Sequence, residues 1–446
     1  MSNIGTLSLI AIPGEIERTL FLNNPDITFF KSVYRRHTNF SKFFSVETSE
    51  GNENNFGKSV KYKLDNTIGD LLSKVYLQHK ITIDSSSTTS SNATVYANLG
   101  SNIISSDDED SLNIQIGTNK IFQNNGLYLE TKQELMNEMN LSISGNYTIP
   151  PMLKYDTGTI NCNEGSHNNY TTLSGGVSGL EQTSIDNTNV TTEFFYCIPD
   201  FSFNYDYGLA LPLCSLRNTD VNFNVKYNDA SKVLSVHESI TPVLESKCIK
   251  EYIHLDVDEK KRFITNSHEY LIEYVKYQDC ANDSQSVQLS NVSGLTKYIL
   301  VVGKPDSNGA SFPAVDKSLS TPTEINSTLN ISLQIDSNEL NSGQSLPRNA
   351  FTRLNLYNYF KGCGRNLYDG AGGLSTNKGH RDSIAVFPIC IDPLNYTQPS
   401  GCISSSNGSV RDIILNLEHN NQDLKIFMVE YNILNISDGH CQKMLN

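Results

Sequence analysis

Short apolar stretches alternate with polar residues along the whole chain. Residues 60–64 and 221–227 alternate strictly, with apolar side chains at every second position. Further apolar runs are more continuous, at 74–83, 269–277, 297–302, 384–391, 413–417 and 425–436. A period of two is typical of β-strands that bury one face, and the runs are short enough to be strands. The pattern therefore predicts a mostly antiparallel all-β protein.

Helical periodicity is scarce by comparison. Residues 131–141 place Leu135 and Met139 four positions apart, which predicts one short helix. The stretch 26–37 is compatible with a second helix or with an extended arm. Turns rich in Ser, Asn, Gly and Pro separate the apolar runs, notably at 84–92, 163–179 and 370–379. Turns at short intervals between strands favour a sandwich or barrel.

The patterning changes near the middle of the chain. It weakens over 228–244, residues 251–255 are predicted to form the last strand of a first half, and the charge cluster 258–262 suits an exposed connection. No sequence repeat relates the two halves, but each is long enough for an eight-stranded antiparallel jelly roll. We predict two consecutive jelly rolls after a short arm, with boundaries at 1–25, 26–257 and 258–446.

Composition narrows the classes of protein. The 446 residues carry a net charge of −14, and only 18% are charged, so a protein that coats duplex DNA with basic side chains is disfavoured. The nine cysteines contain no CxxC pair, which predicts reduced and mostly buried thiols. The sequence shows neither a secretory signal nor an apolar run of membrane-spanning length, so we expect a chain made in a cytoplasm.

Catalytic and metal-binding patterns lack support. The nine histidines are scattered, and His268 is predicted to be a hydrogen-bonded structural residue. The glycines at 370–373 lack the Lys-Ser/Thr of a phosphate loop, and the acidic run 107–110 is predicted to be a solvated loop rather than a cation site. We predict no enzyme, no cofactor and no metal. A glycosidase would need two carboxylates across a cleft, which a sequence neither locates nor excludes.

One segment combines aromatic and basic side chains in an otherwise acidic chain. It spans residues 24–40, and its candidate contact residues are Phe29, Phe30, Tyr34, Arg35, Arg36 and His37. Such a segment suits electrostatic contact with an acidic partner. The alternative is an arm that docks on its own domain, and physical reasoning alone favours that alternative.

The same segment carries a resemblance. Its sequence, Asn-Pro-Asp-Ile-Thr-Phe-Phe-Lys-Ser-Val-Tyr-Arg-Arg-His-Thr-Asn-Phe, closely resembles the N-terminal signature of the major capsid proteins of nucleocytoplasmic large DNA viruses. Further matches follow in the family's order at 208–213, 268–273, 348–362, 398–401 and 430–436. The resemblance is weakest over 84–195, and the chain departs from the family pattern again at Cys402.

This resemblance implies a double jelly roll and a structural role. Three chains are expected to form a pseudo-hexagonal capsomer that tiles the outer shell of an icosahedral virion assembled in the host cytoplasm. The implied partners are two further copies, neighbouring capsomers and minor capsid proteins, with an inner membrane nearby and no direct contact with nucleic acid. The arm is expected at the capsomer base. A minor or vertex-associated paralogue and a carbohydrate-binding (receptor-binding) jelly roll remain as alternatives, although a chain without Trp lacks the usual stacking platform for sugars.

Overall fold

The structure is a computed structural model in which two units, Met1–Asn39 and Phe40–Asn446, are each compact. The described residues are 24, 28–49, 54–84, 93–97, 103–136, 183–185, 190–235, 241–289, 294–303, 330–336, 338–339, 359, 384–404, 412–418 and 423–445. In the first unit, residues 28–39 contain a turn at Phe29 and Phe30 and no helix. Of the two predictions for this stretch, a helix or an extended arm, the described residues therefore match the extended arm.

The second unit begins with a set of strands that ends at residue 255. These strands are β1 (Phe40–Thr48), β2 (Ser59–Lys63), β3 (Leu71–Asp84), β4 (Ala93–Ala97), β5 (Leu112–Ile116), β6 (Asn119–Asn124), β7 (Thr183–Ile185), β8 (Val190–Cys197), β9 (Val221–Lys226), β10 (Leu234–Ser235) and β11 (Val243–Leu255). Two helices lie among them, α1 (Gly126–Met136) and α2 (Ala230–Val233). Three 3₁₀ helices follow β8, at Ser202–Asn204, Tyr207–Leu209 and Leu213–Ser215.

These strands form two four-stranded antiparallel sheets. One has the order β1-β11-β3-β8 and the other the order β2-β9-β5-β6, with a small sheet β10-β4-β7 beside them. Along the chain the main strands alternate between the two large sheets, apart from the hairpin β5-β6, which stays within one. This alternation between two facing sheets is the jelly-roll topology.

The remainder of the unit repeats that topology. Helix α3 (Val257–Thr265) leads into the second set of strands, which are β12 (His268–Cys280), β13 (Ser286–Gln288), β14 (Leu295–Gly303), β15 (Asn330–Ile335), β16 (Asn338–Glu339), β17 (Ile384–Pro388), β18 (Ile403–Ser404), β19 (Ile413–Glu418), β20 (Leu424–Ser437) and β21 (His440–Lys443). The sheets have the orders β12-β20-β14-β17 and β13-β19-β15-β16, with β18 and β21 added to the first. Each position corresponds to one in the first half, so the predicted all-β double jelly roll is confirmed.

Strand β2 shows how the alternating pattern builds a sandwich. Its Val60 and Tyr62 are buried, whereas the residues between and beside them are exposed. Across the sheet Val60 lies opposite Val225, and Tyr62 lies opposite Phe223 with the ring centroids 6.1 Å apart. Because alternate side chains point to the same face, one side of the strand enters the core and the other meets solvent.

The two inner strands of the sheet β12-β20-β14-β17, β20 and β14, are buried on both faces. In β20, Ile426 and Met428 join the core of the second sandwich, whereas Phe427 and Val429 join a core continuous with the first sandwich. Strand β14 likewise contributes to both cores, since Ile299 joins the core of the second sandwich and Tyr298 joins the core continuous with the first. This double burial explains why these strands are continuous apolar runs rather than alternating ones. The two sandwiches therefore share one apolar junction.

The helices differ most from the sequence predictions. Helix α1 begins at Gly126 rather than at residue 131, because the Asn125 side-chain oxygen accepts a hydrogen bond from Tyr128 N at 2.8 Å and caps the first turn. The predicted part of this helix beyond residue 136 lies outside the described residues. Helix α3 was expected only as an exposed connection. The Asp256 carboxylate accepts a hydrogen bond from Val257 N at 2.8 Å, and Phe263 packs against Leu71 and its apolar neighbours.

Most of the described cysteines are buried, as the sequence predicted. Cys197, Cys214, Cys248, Cys280 and Cys390 are buried. Burial raises the pKa of the Cys248 thiol to about 12, which makes it unreactive as a thiolate. Cys402 is exposed, and no disulfide joins the cysteines in the described part of the chain. Cys441 is partly buried. Cys162 and Cys363, like the predicted turns at 163–179 and 370–379, lie outside that part.

Candidate assembly surface

The arm, defined here as residues 28–39, presents its apolar side chains to solvent. Phe29 is 90% exposed, Phe30 99% and Tyr34 84%. Within the arm, Phe30 N donates to Thr28 Oγ1 at 3.3 Å, which stabilises the turn at Phe29 and Phe30. Large apolar groups at this exposure are unusual on a free surface and indicate a contact site.

The same arm is basic. Arg35, Arg36 and His37 are exposed, as is Lys31, and the arm contains no acidic residue. The ring of His37 contacts the Thr38 carbonyl oxygen, with 2.7 Å between Nδ1 and that oxygen. All six predicted contact residues thus share one exposed segment. Their burial against a partner remains a prediction.

A second exposed apolar row lies on β1, at the edge of the first sheet. Phe40, Phe44 and Val46 are each more than half exposed, whereas Phe43 on the opposite side stacks on Tyr252 of β11 with the ring centroids 5.8 Å apart. An edge strand with apolar side chains is a ready contact for another chain. The sequence pattern did not single out this row, because phenylalanines on both faces of β1 hide its alternation.

A buried cluster of charges occupies the junction between the two sandwiches. Lys132 of α1 pairs with Asp200 at 2.7 Å and approaches Glu273 of β12 at 3.6 Å. Glu273 also pairs with Lys297 of β14, whose Nζ donates to the Asn395 carbonyl oxygen at 3.1 Å. Two lysines and two carboxylates balance to zero net charge. A buried group of this kind avoids an unpaired charge only while all four members are present.

Tyrosines line the cluster. Tyr128 and Tyr205 donate hydrogen bonds to the two carboxylate oxygens of Asp200, at 3.0 Å and 2.8 Å. Tyr205 stacks on Tyr396 with the ring centroids 4.2 Å apart, and Lys132 Nζ lies 5.0 Å from the centroid of Tyr396. The aromatic faces thus stabilise the ammonium groups that burial removes from water.

Hydrogen bonds away from the cluster also cross the junction. Gln123 of β6 donates to the Val275 carbonyl oxygen of β12 at 2.8 Å and accepts from the Tyr274 hydroxyl at 2.8 Å. Lys425 of β20 donates to the Ser106 carbonyl oxygen at 2.8 Å. The relative placement of the two sandwiches is therefore fixed by directional contacts as well as by apolar packing.

The catalytic and metal candidates have structural partners. His268 Nε2 lies 2.8 Å from the Phe263 carbonyl oxygen, as expected for a hydrogen-bonded structural histidine. Asp107 pairs with Lys232 at 2.8 Å, and its pKa is lowered chiefly by that hydrogen bond. Asp108 and Asp110 pair with Lys226 and Lys120. The acidic loop is thus paired with lysines, a feature that the solvated-loop interpretation missed.

The described ranges also lack two features. Within those ranges no three His, Cys, Asp or Glu side chains are grouped as a metal site would require. None of the helices there has both the length and the hydrophobicity needed to cross a membrane.

The comparisons with known proteins agree with the fold. Residues 28–278 match the family model described as the N-terminus of the major capsid protein. The major capsid protein of Pyramimonas orientalis virus is 28% identical over 427 residues, 93% of each chain. VP54 of PBCV-1 superposes with a TM-score of 0.67 at 19% identity, covering 94% of this chain and all of that one. The Faustovirus major capsid protein gives 0.56 at 11% identity, covering 98% and 97%.

Two sandwiches of one topology joined along a shared sheet define a double jelly-roll protein of the viral capsid class. The family model covers more than half of the chain. The chain belongs to the major capsid protein family, as the signature at residues 24–40 predicted. It is a structural protein of a large DNA virus, and its place is the outer shell of the virion.

Proposed function

We propose that three copies of this protein form a pseudo-hexagonal capsomer, and that such capsomers tile an icosahedral shell. The observation that carries the proposal is the repeated sheet order. Since each copy contributes two sandwiches of the same topology, three copies supply six similar units around one axis. Six similar units allow one contact geometry to serve every neighbour in a flat array. Division of the chain at 257/258, where α3 begins, is part of this proposal.

The arm is proposed to make contacts below or between capsomers. It places the exposed aromatic residues Phe29, Phe30 and Tyr34 beside the basic residues Arg35, Arg36 and His37. Aromatic and arginine side chains are enriched where protein surfaces bind each other. We propose that a minor capsid protein or a neighbouring subunit covers this segment at the capsomer base.

The remaining partners follow from charge. A net charge of −14 opposes association with the genome, so direct binding of nucleic acid is not part of the proposal. An inner membrane beneath the shell is compatible with this charge, with the minor proteins lying between. We propose no enzymatic activity on a substrate and no cofactor, because His268 and the acidic loop 107–110, the catalytic and metal candidates of the described residues, have structural partners.

The proposal is tested first by the native mass of the purified full chain. A stable species of three times the monomer mass is expected, and electron microscopy at higher concentration should show hexagonal arrays or closed particles. A monomer that never associates, or one that instead binds sugars on a glycan array, would contradict the capsomer.

The arm is tested by the double substitution Arg35→Glu and Arg36→Glu. Trimers are expected to form normally, whereas the yield of particles should fall at least about tenfold, since like charges across a contact cost over 1 kcal/mol. The matched control is Lys261→Glu with Arg262→Glu, an exposed basic pair on α3 that undergoes the same change in charge. Equal particle yields from both variants would refute the proposed role of the arm.

A further inference from the structure

The junction cluster contains a buried lysine and aspartate held in hydrogen-bonding contact. Lys132 Nζ lies 2.7 Å from Asp200 Oδ2, and the two side chains are only 1% and 4% exposed. Lys132 extends from α1, and Asp200 lies in the segment between β8 and the first 3₁₀ helix. Both groups are therefore fixed by separate elements. Fixing two reactants in contact removes most of the entropic barrier to a reaction between them.

A third group can move a proton between them. Glu273 Oε2 is 3.6 Å from Lys132 Nζ, and this oxygen is buried without a hydrogen-bond partner. The other carboxylate oxygen, Oε1, binds Lys297. A carboxylate that is anchored by one oxygen and keeps the other free beside an ammonium is placed to act as a general base.

Donors also surround the carboxyl group of Asp200. Tyr205 donates to Oδ1 at 2.8 Å, and Tyr128 donates to Oδ2 at 3.0 Å. In a tetrahedral intermediate the negative charge develops on these oxygens, and preoriented donors stabilise it. The surrounding rings of Tyr396 and Tyr298 complete a site with little access to bulk water.

We propose that Lys132 and Asp200 condense into an intramolecular isopeptide bond, with Glu273 as the proton carrier. Glu273 takes one proton from the Lys132 ammonium, and the free amine attacks Asp200 Cγ. The Nζ–Cγ bond forms and the Cγ–Oδ2 bond breaks, while Oδ1 becomes the amide oxygen and keeps its bond from Tyr205. The proton on Glu273 and a second proton from the nitrogen leave with Oδ2 as one water molecule. No oxidant or other reactant is needed.

The reaction starts from the ion pair. Burial alone lowers the pKa of Lys132, but the charge of Asp200 and the neighbouring groups outweigh it and hold the pKa well above its ordinary value. The free amine is therefore produced by proton transfer within the site, and Glu273, whose Oε2 has no other hydrogen-bond partner, is assigned as the acceptor. Among the described residues, Glu273 is the one carboxylate that pairs with Lys297, so this second pair is assigned an anchoring role.

The test is the intact mass of the purified full chain after complete denaturation and reduction. The expected mass is that of the sequence less one water molecule, and tandem mass spectrometry should find one branched peptide linking Lys132 to Asp200. An unmodified mass would overturn the proposal and leave a plain ion pair. A loss of water located elsewhere, such as a succinimide at another aspartate, would overturn it equally.

Two variants test the roles. Lys132→Arg retains a cation beside Asp200 but has no nucleophilic amine. Its mass is therefore expected to equal that of its sequence, without loss of water. Glu273→Gln retains the size of the side chain without a basic oxygen, and loss of the branched peptide is expected. If the branched peptide persists at the wild-type level in Glu273→Gln, the proton-carrier role is wrong. The control is Lys80→Arg, in the exposed pair with Glu245. Its intact mass should still be lower than that of its sequence by one water molecule.

Discussion

At the scale of single residues, the buried ion pairs of this protein differ from its exposed ones. Lys297 is fully buried, with Glu273 and the Asn395 carbonyl oxygen as its partners. Lys80 and Glu245 make a comparable pair that is about one-third to one-half exposed. Water screens the exposed pair, whereas a buried charge without its partner keeps the full cost of desolvation. The two pairs therefore differ in what their loss costs.

Replacement of Lys297 by Met measures that difference. Lys297→Met is expected to reduce the free energy of unfolding by roughly 3–5 kcal/mol, because Glu273 loses its nearest cation in a dry site. The matched change Lys80→Met should cost at most about 1 kcal/mol. Urea denaturation followed by tyrosine fluorescence reports both values. Equal small losses would mean that the junction admits enough water to screen its charges.

A buried histidine makes the first sandwich sensitive to acid. His79 lies inside it, with Nε2 3.2 Å from the Tyr227 hydroxyl oxygen, and burial lowers its pKa to about 3 from 6.5. Between these values the unfolded chain binds a proton that the folded chain excludes. Stability is therefore complete above pH 6.5 and falls by about 1.4 kcal/mol per pH unit as the pH drops toward 3.

The substitution His79→Gln should flatten this dependence. Its unfolding free energy, measured at intervals from pH 6.5 to 3, is expected to fall less steeply than that of the wild type. His440→Gln, at an exposed position, should keep the wild-type slope. Should His79→Gln keep the wild-type slope as well, other groups would account for the acid sensitivity.

At the scale of elements, the apolar runs located the strands well and the helices poorly. The run 425–436 lies within β20, and 74–83 lies within β3, because a strand of this length buries enough apolar side chains to show in the sequence. Helix α3 was missed since none of its side chains is fully buried, so its pattern resembles a charged loop. Its capping residue, Asp256, was the available signal.

Truncation of a side chain on either face of β20 should destabilise the protein by a similar amount. Phe427→Ala and Met428→Ala are each expected to cost about 2–5 kcal/mol, because one residue fills the junction and the other fills the second sandwich. On β19, with one buried face, Leu415→Ala should cost a similar amount and Ile414→Ala less than about 1 kcal/mol. Thermal and urea denaturation would reveal the contrast. A mild effect of Phe427→Ala would mean that the junction repacks.

At the scale of the whole molecule, the resemblance at residues 24–40 supplied what periodicity could not. The charge cluster between the two halves brings together Lys132, Asp200 and Glu273, which are more than 60 residues apart in sequence. For Glu273 and Lys297, the signal was a charged residue inside an apolar run. Sequence spacing alone does not say which such charges meet, because that depends on the pairing of distant strands.

The shared junction predicts that the two sandwiches unfold together. Calorimetry of the full chain at low concentration should show a single transition, since unfolding of one half would expose the apolar face of the sheet that it shares. Lys297→Met should lower the temperature of that transition without splitting it. Two resolved transitions in the wild type would show that each sandwich is stable without the other.

The place of β20 in the sheet has a consequence for synthesis. It pairs with both β12 and β14, yet residues 424–437 leave the ribosome after all the other strands of that sheet except β21. Until then β12 and β14 have no partner between them, and the junction lacks Phe427 and Val429. The emerging chain therefore has an incomplete sheet with an uncovered apolar face from the synthesis of β14 until β20 emerges. A chaperone that shields this gap, or slow release of nascent chains, would keep premature association with other copies in check.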